Sequence, residues 1–211
     1  MGDKFLKYLN KDRWYHATTL AGWKNICSQG ILVDYNKGNE LDFGYAFYVT
    51  PDKKQAEYFI TKLLQYQAIE PNLGLPTKDI EDTRIPVVIE FEFSPIEWFN
   101  DKKYKFRILD KYDDEFAKFV YHNRTKNVDG TSHHNFDFIF GVMSDSNPII
   151  LLQKLKNGEI TEENVLEGLK KTTSSKQLSI HNQKICDIIK VINVYSVNTG
   201  KELDINDYYN K

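Results

Sequence analysis

Short apolar runs and amphipathic stretches alternate along this chain without a regular period. Residues 13–19 are aromatic and β-branched and read as a strand. Thr19 is placed to cap a helix over Leu20–Ser28 that stops at Gln29-Gly30. Ile31-Leu32-Val33 reads as a short extended piece, and the polar stretch 34–42, with Gly38, as a loop. Ala46–Thr50 is a second strand. Pro51-Asp52 then opens a helix through about Ile69, with Ala56, Phe59, Ile60, Leu63 and Leu64 as its apolar stripe. Residues 70–83 hold Pro71, Gly74 and Pro76 and read as a loop. Residues 86–93 give the clearest strand pattern, an apolar run passing into alternation.

Further on, Phe106–Leu109, Phe136–Val142, Gln177–His181 and Val191–Val197 read as strands. Tyr112–Asn123, Ser146–Asn157, Thr161–Lys171 and a piece around Asn182–Ile189 read as helices, with Thr161 and Asn164 set to open the third. Thr125–Asn135 reads as a polar loop, and residues 204–211 as a polar tail. Short strands interleaved with helices, without a βαβ rhythm, predict an α+β fold rather than a doubly wound parallel sheet.

Length and composition narrow the class. The 211 residues suit one domain over 1–211, and 14% aromatic content argues against disorder. A formal net charge of -2 gives no electrostatic case for a nucleic-acid binder, although a local basic patch could still reach such a substrate. Cys27 and Cys186 stand alone in apolar helical segments, so two buried free thiols are expected and no zinc site. His133-His134 with His122 lacks a diagnostic metal spacing, and a solvated loop is the simpler reading. The start has no apolar signal region, and no run reaches membrane-spanning length, so a cytoplasmic, membrane-free protein is expected.

The candidate chemistry lies in two of the strands. Trp14-Tyr15-His16-Ala17-Thr18-Thr19 carries a lone His, and Asp42-Phe43-Gly44-Tyr45-Ala46-Phe47-Tyr48-Val49-Thr50 carries a Tyr near its end. A His and a Tyr on neighbouring strands can hold a flat polar ligand: the phenol ring stacks and the imidazole bonds a hydroxyl. Two buried core strands are the plainer reading of either segment alone. Both strings, with Gln55-Ala56, Phe119, Asn123-Arg124, residues 136–145 and the run Ser175–His181, resemble an uncharacterised bacterial domain family grouped with the His–Tyr–Glu ADP-ribosyltransferases. The resemblance spans about residues 13–190. Members are often toxins of toxin–antitoxin pairs.

The resemblance implies a split β-sandwich with surrounding helices. It also implies an NAD-dependent mono-ADP-ribosyltransferase, a toxin or phage-defence effector that modifies a macromolecular target, protein or nucleic acid. NAD is then the co-substrate, no metal is needed, and a small antitoxin protein is a partner. His16, Tyr48 and Gln177 take the catalytic positions. His16, Ala17, Thr18, Gly44, Tyr48 and Arg124 take the cofactor-binding ones, with the backbone of Ala17 and Thr18 meeting the nicotinamide carboxamide and Arg124 the diphosphate. The chain departs from the family pattern at Ala17 and Ala46, where glycine is usual, and at Gln177, where glutamate is usual. A glutamine can bond a ribose hydroxyl but supplies no charge, a loss of roughly 2.7–4 kcal/mol by oxyanion-hole magnitudes. Two alternatives follow: a degenerate module that binds NAD or ADP-ribose, or an NAD glycohydrolase. Removal of an RNA 2′-phosphate, which usually relies on several arginines, ranks below them.

Overall fold

The computed structural model describes residues 4–37, 39–69, 81–126, 134–144, 148–171 and 174–205. Residues 70–80 of the loop expected over 70–83, residues 127–133 of the one expected over 125–135, Gly38, Asp145, Ser146 and the end of the tail lie outside them. Among the described residues the chain is mixed α+β, with seven strands in two sheets and eight α-helices. It divides into two compact units, each assembled from separate stretches: residues 1–32, 49–97 and 184–211 form the first, and residues 33–48 and 98–183 the second.

The first unit is built on an antiparallel sheet of order β1-β3-β7, with β1 at Arg13–Thr19, β3 at Pro86–Glu92 and β7 at Lys190–Ser196. β3 is central and buried at six of its seven positions, which is why its sequence is nearly continuous in apolar residues. Thr19 ends β1 and caps α2 (Leu20–Gln29), its hydroxyl accepting from the Gly22 N–H at 3.2 Å. α3 (Lys53–Ile69) packs on β1 and β3 through buried Ala56 and Ile60, while Phe59, expected inward, is 40% exposed. α1 (Leu6–Leu9) and α8 (Gln183–Cys186) are single turns.

The second unit holds the four-stranded sheet β2-β6-β5-β4, where β2 is Phe47–Val49, β6 Lys176–Ile180, β5 Phe138–Val142 and β4 Phe106–Leu109. β5 is buried at all five positions and pairs parallel to β4 and antiparallel to β6. Its core joins Phe43, Leu109, Phe116, Val120, Ile139 and Leu152. Phe116 and Val120 come from α5 (Asp114–Lys126), which starts two residues later and ends three residues later than the apolar pattern predicts. α7 (Glu162–Leu169) opens with the Thr161–Asn164 capping box, and it packs against α5 and α6 (Pro148–Lys156). Residues 31–33 form no strand, and α4 (Pro95–Asn100) occupies a stretch whose sequence showed no clear pattern.

Candidate functional site

In the first unit, β1 alternates its side chains, with Trp14, His16 and Thr18 on one face and Tyr15 and Ala17 on the other. His16, Ala17 and Thr18 are half-buried and lie opposite Ile89, Val88 and Val87. β1 is an edge strand. Tyr15 exchanges both backbone hydrogen bonds with Thr50, at 2.8 Å each way, on the side away from β3. An antiparallel ladder turns every second residue to the same side. Ala17 therefore directs its N–H and C=O to the outer edge as Tyr15 does, whereas His16 directs its own toward β3.

On the Tyr15 face, Glu90 accepts hydrogen bonds from the Tyr195 hydroxyl (2.8 Å), Asn193 Nδ2 (2.9 Å) and the Tyr15 hydroxyl (3.3 Å). Burial pushes its carboxyl up, but those three donors and nearby Arg13 hold it below the ordinary glutamate value.

In the second unit, the turn before β2 is anchored at almost every residue. Gly44 has φ of 81°, a conformation suited to glycine, and its N–H reaches the Leu41 carbonyl at 3.3 Å. The Tyr48 hydroxyl donates to the Gly44 carbonyl at 2.6 Å and accepts from the Phe43 N–H at 3.1 Å. Burial, then the Asp42 carboxylate, raises the Tyr48 phenol above its ordinary value, so the hydroxyl stays protonated. The residue as a whole is half-buried and packs against the core of this unit. His134 Nε2 donates to the Phe43 carbonyl at 2.9 Å, and His181 Nδ1 to the Tyr45 carbonyl at 3.0 Å. Asn36 brackets Ala46, accepting from its N–H at 3.1 Å and donating to its carbonyl at 3.0 Å.

Asp42 lies under this turn and does not cap it. Its Oδ1 faces Arg124 Nε at 2.8 Å and the second guanidinium nitrogen at 2.7 Å, with the side chains 10% and 6% exposed. Its Oδ2 accepts from the Ser144 N–H at 3.0 Å and from Gln177 Nε2 at 3.1 Å. Arg124 also donates to the Glu40 carbonyl. Gln177 is buried, and its Nε2 gives a further hydrogen bond to the Val142 carbonyl at 3.2 Å. Gln177, Ser179 and His181 fall on one face of β6 by the strand's two-residue period. A carbonyl can only accept, so His181 Nδ1 carries the proton and Nε2 accepts from the Ser179 hydroxyl at 2.9 Å.

The structure thus gathers Gly44, Tyr48, Gln177 and Arg124 around Asp42 in one unit. His16, Ala17 and Thr18 stand on β1 in the other. Arg124, read from sequence as a diphosphate contact, is committed to Asp42 and Glu40. Sequence reasoning missed His134, His181 and Asn36 as anchors of the turn. The alternation Gln177-Leu178-Ser179-Ile180-His181 was the available signal for His181. Among the described residues no group of His, Cys, Asp and Glu could hold a metal ion, and no helix is long and apolar enough to cross a membrane.

These features define an α+β protein with a pinned tyrosine turn and an open edge strand. The chain belongs to the family described as "Protein of unknown function (DUF3990)", which matches residues 29–191. The match contains Gly44, Tyr48, Arg124 and Gln177 and begins after β1 and its His16. No curated protein and no solved structure matches the chain.

Proposed function

We propose that this protein is an NAD-dependent mono-ADP-ribosyltransferase on an ADP-ribosyltransferase-like split β-sandwich, acting on a macromolecular target as a toxin or defence effector. The observation that carries the reading is the outward-facing peptide of Ala17. An N–H and a C=O side by side on a strand edge are the complement of a primary carboxamide, which offers one acceptor and two donors. Tyr48 supports it: with the hydroxyl tied into its own turn, the ring's remaining surface is what it offers, as a stacking platform requires. His16, next to Ala17, would bond a ribose hydroxyl.

The bond to break joins ribose C1′ to the nicotinamide nitrogen, whose positive charge already makes it a good leaving group. Nicotinamide departs neutral with the electron pair. The nucleophile bonds C1′ and loses its proton to its own surroundings or to water. The protein orients NAD and shields the oxocarbenium-like centre. Arg124 would hold Asp42 rather than the diphosphate.

A second reading has its own observation. Gln177 brings no charge and its amide nitrogen is engaged by Asp42 and Val142, which favours a module that binds NAD or ADP-ribose without turnover. Ala17→Pro separates a carboxamide-binding edge from a bland one. It deletes an N–H that faces away from β3, a position where an edge strand tolerates proline. Far-UV circular dichroism should be unchanged, while stabilisation by NAD in thermal unfolding and nicotinamide release should both disappear. Undiminished NAD stabilisation in this variant would exclude the Ala17 contact.

A further inference from the structure

We infer that position 177 requires a neutral amide, and that Gln177 is a positioning residue for the tyrosine turn rather than a degenerate catalytic glutamate. Its Nε2 faces two acceptors and no donor: the Asp42 carboxylate at 3.1 Å and the Val142 carbonyl at 3.2 Å. An amide nitrogen has two hydrogens to give, and a carboxylate has none. Asp42 is itself saturated, with Arg124 on one oxygen and Ser144 and Gln177 on the other. Through Asp42 the amide fixes the residue on which Phe43, Gly44 and the Tyr48 hydroxyl are stacked.

A glutamate at 177 would set two carboxylates against each other in a buried place, with one guanidinium, on the opposite oxygen of Asp42, to offset them. Such pairs retain a proton well above the ordinary carboxylate range. The other groups around the position are Arg124 from α5, Tyr48 from β2, and His181 with His134 on the same side of β6. The Tyr48 phenol stays protonated, and burial with the neighbouring His134 holds the His181 imidazole down to about 3, so neither titrates between pH 5 and pH 8. The groups shared with the wild type cancel in the difference between the two proteins.

The inference holds whatever the ligand, and its test is read on the protein alone, so its failure is distinct from failure of the transferase reading. Thermal unfolding of wild type, Gln177→Glu and Gln177→Leu is compared at pH 5 and pH 8. Gln177→Glu should lose roughly 5–10 °C in Tm at pH 8 and recover most of it at pH 5. The sign follows from the glutamate's raised folded-state pKa: the folded protein holds the extra proton, so its deficit grows as pH rises through that pKa. Gln177→Leu should show a deficit that does not change with pH. In the double variant Asp42→Asn/Gln177→Glu, amide and carboxylate exchange places, and the loss should be smaller than the sum of the single losses. A Gln177→Glu deficit equal at both pH values, or absent, would overturn the inference. So would strictly additive losses in the double variant.

Discussion

At the residue scale, the second unit is dominated by polar side chains that grip backbone. His134, His181, Asn36 and Tyr48 between them bind four consecutive residues of one turn, Phe43 to Ala46, and that density of anchors explains why a loop can fix an aromatic ring. Unmade, each such bond would leave a buried group unsatisfied at about 1–3 kcal/mol. His181 has a consequence that can be measured. Burial, then the charge of His134, pushes its imidazole down to about 3, against a weaker upward pull from the Tyr45 carbonyl. The unfolded chain takes up that proton near pH 6.5, so the unfolded state binds more protons between these values. The stability due to neutral His181 is fully present above about pH 6.5, and it falls by up to about 1.4 kcal/mol per pH unit on acidification toward the folded value. Urea titrations of wild type and His181→Asn from pH 7 to pH 4 should show a shallower acid slope in the variant. Parallel slopes would remove His181 from the account.

At the element scale, the sequence was read best where one physical signal dominates. β1 followed from its aromatic and β-branched run, β3 from an apolar run passing into alternation, α3 from its apolar stripe, and α2 and α7 from their threonine caps, both of which form. The apolar triplet Ile31-Leu32-Val33 misled, because only Ile31 is buried and the Val33 N–H bonds Gln183 Oε1 instead of a strand. α4 was missed because six residues are too few to show a helical period. The candidate site was legible as residue types in order, not as partnerships: pairs such as Asp42 with Gln177, or Arg124 with Asp42, join residues far apart in the chain. Gly141 is a similar case. It pairs with Leu109 on one side and Gln177 on the other, and a Cβ there would sit 2.7 Å from the Leu109 carbonyl oxygen and 2.8 Å from the Phe43 ring. Backbone and a packed ring cannot step aside, so Gly141→Ala should cost about 1–3 kcal/mol as overpacking. A lowered urea midpoint at unchanged m-value is the expected result, and an unaltered midpoint would contradict this packing.

At the scale of the whole molecule, the chain is threaded through two compact units, each assembled from separate stretches of sequence. The family that contains it has no assigned function. The proposal therefore rests on chemistry: an edge peptide suited to a carboxamide, a tyrosine ring held by its own hydroxyl, and a neutral amide at Gln177. Those parts suit single transfer, with the acceptor or water taking the proton, better than repeated elongation, in which a carboxylate activates each new hydroxyl. The most direct measurement incubates purified protein with labelled NAD and a cell lysate, following nicotinamide release and label on macromolecules together. The account predicts label on protein or nucleic acid with stoichiometric nicotinamide release, both lost in Tyr48→Ala and in His16→Ala. Release and labelling undiminished in those two variants, or a wild-type protein that neither releases nicotinamide nor labels any macromolecule, would contradict it.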